Sequence, residues 1–274
     1  SAALLDRALT EPGLIHSAYF AFHGYSLGNQ ILALIQCQDR GIEPGPIACF
    51  NRWKELGRHV VKGQKAIELC MPVTSKRTIE STDDAGNPTT DTVTFRRFIF
   101  RRNWFVLSQT DGQPYTPPAL PDWNKARALE ALNLTEIPFT HLDGNVQGFA
   151  RGRAVAVSPV AAQPEKTLFH ELAHVVLGHT AEAELTDDER TPRTIREVQA
   201  EAVAMLVAAA LSLPGIEYSI GYVQHWKAQG GEITEKHAQQ IFKAADAILR
   251  AGRQETTTDA QDALDDSRER DADR

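Results

Sequence analysis

The chain has 274 residues, 42% of them hydrophobic, a formal net charge of −7 and three cysteines. That length suits one or two domains with sizeable cores, and no apolar run reaches the roughly 18 residues of a membrane-crossing helix. Ser1–Arg7 lacks the basic-then-apolar order of a secretory signal, and Cys37, Cys49 and Cys70, odd in number and without a C-x-x-C pair, speak against a disulfide framework or a cysteine zinc knuckle. Free thiols in a reducing cytoplasm are expected. The charge is uneven: residues 1–120 hold 13 basic and 11 acidic side chains, net +2, and residues 121–274 hold 16 and 25, net −9. A basic half is where a nucleic-acid partner is sought.

In chain order, Leu27 to Gln38 reads as a helix, ended by the turn signals Gly41 to Pro46. Phe50 to Leu56 predicts a short helix stopping at Gly57. A strand follows over Ala66–Val73. Residues 74–92, rich in Thr, Ser, Asp, Gly and Pro, are expected to be a mobile hairpin loop before a strand over Val93–Phe100 that runs on toward Phe105. Here basic residues interleave with aromatics such as Phe50, Trp53, Phe95, Phe98, Trp104 and Phe105. Phosphates need cations, and unpaired bases need flat faces to stack on. A strand with both can be a single-strand platform; aromatics in the core beside solvated arginines fit the pattern equally well.

Asn29, the run Phe50-x-x-Trp53-x-x-x-Gly57-x-x-Val60-x-Lys62-Gly63-x-Lys65, and Phe105-x-x-x-Gln109 resemble the N-terminal domain of ArdC-type antirestriction proteins, over roughly residues 15–115. The resemblance implies a module that binds single-stranded DNA. It makes Asn29, Trp53, Lys54, Arg58, Lys62, Lys65, Arg96, Arg97, Arg101, Arg102 and Trp104 the candidate contacts.

The Pro-rich stretch Gln113–Pro121 is extended and marks the expected domain boundary. A short helix is predicted over 124–133, and a strand pair over Gln147–Val157 turning near Gly152. A helix over 165–178 carries His170-Glu171-Leu172-Ala173-His174. Residues four apart share a helix face, so His170 and His174 can point two imidazoles at one metal ion, with Glu171 beside them to deprotonate a metal-activated water. A catalytic zinc site uses three protein ligands. His179 misses the spacing of H-E-x-x-H-x-x-G-x-x-H. The next predicted helix, Arg193–Ser212, carries Glu197 and Glu201 four residues apart and is nearly all apolar from Ala200 to Val207 otherwise. Alone these read as a solvated pair near Arg193 and Arg196. About 25 residues after H-E-x-x-H, they read as a ligand and the partner of a ligand histidine, because a buried carboxylate is costly unless paired or bound to metal.

H-E-x-x-H followed by E-x-x-x-E resembles the gluzincin-type metallopeptidases. That resemblance implies His170, His174 and Glu197 as ligands, Glu171 as general base and Glu201 as support for a histidine, with the roles of Glu197 and Glu201 open to exchange. It also implies that a strand near Gly148–Ala150 binds substrate backbone. The metal is expected to be zinc, with manganese or cobalt also suited to the ligand set. Tyr222 and His225, on a later amphipathic helix, are possible transition-state donors, although an aromatic packing face is the commoner meaning of such spacing. A last helix is predicted from Thr234 to Ala251. The tail Arg253–Arg274, with eight acidic and four basic residues, is expected to be disordered.

The expected fold is α+β in two domains. Residues 1–118 would be a small N-terminal α+β module that binds single-stranded DNA, 119–252 a mainly helical zincin-like metallopeptidase domain, and 253–274 an acidic tail. The function implied is antirestriction: a cytoplasmic protein that protects incoming plasmid DNA in conjugation, acting on single-stranded DNA and on a DNA-bound protein substrate, with no membrane. The alternative is a non-catalytic single-strand shield whose metal is structural or regulatory.

Overall fold

From Val198 to Ala210 every residue but Glu201 is buried. These residues belong to the helix Arg193–Ala210, and its many alanines let neighbouring helices approach closely. The computed structural model describes residues 1–82, 88–117, 119–120, 122–141, 145–181, 192–214, 221 and 233–253. Its elements in order are α1 (Ala2–Thr10), α2 (Leu14–Phe22), α3 (Leu27–Arg40), β1 (Ile47–Cys49), α4 (Phe50–Glu55), β2 (Arg58–Val60), β3 (Ile67–Thr82), β4 (Pro88–Val106), β5 (Thr110–Gly112), α5 (Lys125–Ala131), β6 (Thr135–Glu136), β7 (Gly148–Arg151), β8 (Ala154–Val157), α6 (Pro164–Val176), α7 (Arg193–Ala210) and α8 (Glu235–Gly252). The class is α+β, as expected.

By its contacts the chain divides into two compact units, Ser1–Ile35 with the chain from Thr116 on, and Gln36–Tyr115. Residues 1–35 go with the C-terminal chain by their contacts. The cause is apolar burial. Leu5, Leu9, Leu14, Ile15, Tyr19 and Phe22 of α1 and α2 are each 4% exposed or less, and these helices pack on α7 and α8. The Leu27 backbone N–H adds a bond to Asp246 on α8.

In this larger unit α6, α7 and α8 pack on one another beside a sheet ordered β6-β8-β7, with β6 parallel and β7 antiparallel to β8. Gly152, at φ +57°, makes the expected turn between β7 and β8. Phe169 and Leu172 of α6 are at most 1% exposed; burying side chains of this size stabilises by about 1.5–3 kcal/mol each. Trp123 meets Phe169 edge-on at 5.0 Å and donates to the Ile248 carbonyl. Helix α6 ends as expected at Gly178, which has φ +83°, and Thr234 caps α8. Tyr222, His225 and the tail beyond Arg253 lie outside the described residues.

In the unit Gln36–Tyr115, β1, β4 and β3 form an antiparallel sheet and β2 pairs with β5. The loop expected over 74–92 is mostly strand: β3 runs to Thr82 and β4 starts at Pro88, with the ladder unbroken from Glu68↔Arg102 to Thr82↔Pro88. Polar composition suggested a loop, yet β-branched Thr74, Thr78, Ile79, Thr89, Thr90 and Thr92 suit a pleated ribbon. Gly57, at φ +72°, ends the helical turn after α4 as expected.

A Cβ on Gly252 would lie 2.1 Å from Trp123 Nε1. Gly252→Ala is therefore expected to push Trp123 off Phe169 and cost about 1–3 kcal/mol, read as a lower thermal unfolding midpoint.

Candidate metal and hydrolytic centre

His170 and His174 sit one turn apart on α6 with their Nε2 atoms 3.1 Å apart. From α7, Glu197 Oε2 lies 3.4 Å from His170 Nε2 and 3.7 Å from His174 Nε2. A tetrahedral ion with bonds of about 2.1 Å sets its ligand atoms about 3.4 Å apart. The three atoms form a triangle of that size, and among the described residues this is the one cluster of histidine, cysteine and carboxylate groups able to hold a metal ion.

Both histidines are oriented from behind. Glu201 Oε2 lies 3.3 Å from His170 Nδ1, and its other oxygen meets Lys166 Nζ at 2.6 Å. His174 Nδ1 lies 3.0 Å from His179 Nδ1, His179 Nε2 lies 3.2 Å from Gln199 Oε1, and Gln199 Nε2 donates to Gln240 at 3.0 Å. An amide that gives its N–H to Gln240 turns its oxygen toward His179, which must then carry its proton on Nε2 and accept through Nδ1. In that tautomer His174 would donate from Nδ1 and turn its Nε2 lone pair to an ion held in the triangle. In the same way the Glu201 carboxylate draws the His170 proton to Nδ1.

Burial disfavours a charged His170, but hydrogen bonds to Glu197 and Glu201 outweigh it and its pKa is pushed up to about 9. Hydrogen bonds from His170 and His174 hold Glu197 well below the usual carboxylate range. Glu171, 7% exposed, is raised by burial, opposed by the two histidines. These groups line an open cleft of about 1100 Å³ together with Gly148, Phe149 and Ala150 of β7. Among the described residues β7 pairs only with β8, so its outer edge has no strand beside it.

The structure brings together His170, Glu171, His174, Glu197 and Glu201 from the sequence candidates. His179, set aside on spacing, is a buried partner of His174. Its link to Gln199 and the position of Lys166 carried no sequence signal, because both arise from helix packing. The nucleic-acid candidates scatter. Asn29 is buried in the larger unit. Trp53 and Trp104 are 1% and 7% exposed, and Trp53 gives its indole N–H to the Phe105 carbonyl, so neither ring offers a face to a base. Arg58 is committed to Thr110 and Gln113. Lys54, Lys62, Lys65, Arg97, Arg101 and Arg102 are exposed, Arg102 with Glu68 at 2.9 Å. The Arg96 side chain lies outside the description. Gln109 clamps the turn that carries Lys62 and Lys65, through Gln64, the Lys65 carbonyl and the Val61 N–H.

The fold and the site define an α+β chain with a metallopeptidase-like histidine–carboxylate centre. Residues 8–104 match the family described as the N-terminal domain of anti-restriction factor ArdC, and residues 132–228 match the peptidase M78 family, described as IrrE N-terminal-like domain. The chain thus carries these two family domains in this order. Two crystal structures of the ArdC protein of plasmid R388 align with it at 20% identity. The metal-free one covers 96% of this chain and 97% of its own, with a TM-score of 0.47; the Mn(II)-bound one covers 91% and 97%, with a TM-score of 0.48. No curated protein matches the chain.

A Cβ on Gly148 would lie 2.7 Å from Thr167 and 2.9 Å from Glu171 Oε1. Gly148→Ala is expected to destabilise by about 1–3 kcal/mol in denaturant unfolding. Adding Glu171→Ala is expected to restore part of that loss, a coupling of about 0.5 kcal/mol or more; strictly additive losses would mean that Glu171 does not press on Gly148.

Proposed function

We propose that this chain is an antirestriction protein that binds single-stranded DNA through the unit Gln36–Tyr115 and cleaves a DNA-bound protein at the His170–His174–Glu197 centre, protecting incoming plasmid DNA in the cytoplasm. One observation carries the hydrolytic part: three ligand atoms at tetrahedral spacing in an open cleft, with a buried carboxylate next to them. A structural zinc site takes four protein ligands, whereas three leave a position for substrate. His170, His174 and Glu197 would hold zinc, or manganese or cobalt, which would supply a Lewis acid for a peptide carbonyl and for water.

The chain's own groups do the rest. Glu171, raised by burial, accepts the proton of the attacking water and passes it to the departing amine. Glu201 fixes His170, and the His179–Gln199 pair fixes His174, so that both Nε2 atoms stay aimed at the ion. The edge of β7 hydrogen-bonds an extended peptide by strand addition and lays the scissile bond along the cleft. Basic side chains of the unit Gln36–Tyr115, among them Lys54, Lys62 and Lys65, neutralise DNA phosphates.

Glu171→Ala is expected to lower hydrolysis by about 10²–10⁴-fold while bound metal, by elemental analysis, and oligonucleotide affinity stay unchanged. If that variant still protects DNA fully in cells, proteolysis is not the means of antirestriction and the single-strand shield takes its place. Glu197→Ala is expected to lose the metal, and Glu201→Ala to keep it with about 10–100-fold weaker affinity by calorimetry. The reverse order exchanges their roles.

A further inference from the structure

From Phe95 to Arg102, β4 is paired with β3 and with no other described strand, since β1 joins it only at Trp104–Val106. Two-stranded ribbons bury little. This one nevertheless displays large apolar rings: Phe98 is 67% exposed, Phe100 63% and Phe95 44%. Alternation puts Phe98 and Phe100 on one face, opposite Pro72 and Cys70, and Phe95 and Arg97 on the other. Over residues 69–79 and 92–106 there are six basic side chains, Lys76, Arg77, Arg96, Arg97, Arg101 and Arg102, and no acidic one. The nearest acids are Glu68, which pairs with Arg102, and Glu80 and Asp91 toward the turn.

Charge that merely guards a strand edge does not account for exposed phenyl rings, and a purely apolar partner does not call for a run of arginines and lysines. A polyanion that also presents flat, unstacked faces calls for both. Phe98 and Phe100, two residues apart on one strand, stand about 6.8 Å apart along it, room for one base on each ring, as in sheet platforms whose strand aromatics stack successive bases.

We propose that the β3–β4 ribbon is the stacking surface for single-stranded DNA, with bases on Phe98 and Phe100 and phosphates along the edge of β4 that has no described strand beside it, where Arg97 and Arg101 reach them from the other face. This rests on the DNA reading above and moves the aromatic contacts from the buried Trp53 and Trp104 to the exposed phenylalanines.

The test is fluorescence anisotropy of a labelled single-stranded oligonucleotide with the full chain over a salt series. Phe98→Ala with Phe100→Ala is expected to weaken binding about tenfold or more and leave the salt slope unchanged. Arg97→Ala is expected to lower that slope by about 0.7. Phe98→Leu with Phe100→Leu, which keeps apolar surface but no flat ring, is expected to bind as poorly as the alanine pair, and Phe98→Tyr with Phe100→Tyr to bind as the unchanged chain. Full binding by the leucine pair overturns the proposal, and so does a dimer of the unchanged chain that the alanine pair dissociates, which assigns the ribbon to a second copy. No binding by the unchanged chain removes the DNA reading itself and the ribbon's role with it.

Discussion

The centre depends on one helix–helix register. Helix α6 offers His170 and His174, helix α7 offers Glu197 and Glu201, and each pair is four residues apart. Because i and i+4 share a face, setting the two faces against each other brings Glu197 to both Nε2 atoms and Glu201 to the back of His170. A slip of one residue on either helix turns its pair by about 100° and breaks both contacts. What prevents the slip is apolar: α7 is buried from Val198 to Ala210 apart from Glu201, and Phe169, Leu172 and Ala173 of α6 are buried on the other side of the histidines. The polar geometry is fixed by packing in which the polar groups take little part.

That packing has a cost, since a buried carboxylate must be compensated. Glu201 is compensated by Lys166 and His170, Glu197 by the two histidines. The carboxylates that flank His170 favour positive charge at that point, which is why its pKa is pushed up to about 9 and why the position suits a cation. His174 is supported differently. Its Nδ1 partner is the imidazole of His179, backed by the Gln199 amide, so orientation is fixed without a fourth carboxylate in a cluster that already holds Glu171, Glu197 and Glu201.

Much of the centre was legible because it is local. H-E-x-x-H and E-x-x-x-E are one-turn spacings, and an apolar helix with two carboxylates poses a burial problem that sequence alone reveals. His179 lies outside the ligand triangle and is hydrogen-bonded, as its spacing suggested, but a spacing rule tests only whether a side chain can be a ligand and could not show that this one orients His174 across a distance set by α7. The assignment of Ser1–Ile35 to the larger unit rests on long-range burial with no local mark. The ribbon was hidden by composition, since threonine and serine serve both turns and strands.

Trp53, Arg58 and Gln109 of the unit Gln36–Tyr115 brace its frame. Trp53 donates to the Phe105 carbonyl and meets Tyr115 edge-on. Arg58 ties β2 to β5 and to Gln113, and Gln109 holds the Val61–Lys65 turn. The aromatic and cationic groups most suggestive of a ligand are thus largely spent on rigidity. This follows from size, because a unit of about 80 residues buries little and uses its indoles and guanidinium forks as cross-braces. A ribbon as thin as β3–β4 can hold exposed rings at fixed spacing only if its base does not move, and that base is built from Trp53, Arg58 and Gln109. A motif that resembles a binding signature can therefore serve in part as the frame that positions the surface, while the exposed rings of the surface lie in residues the motif omits.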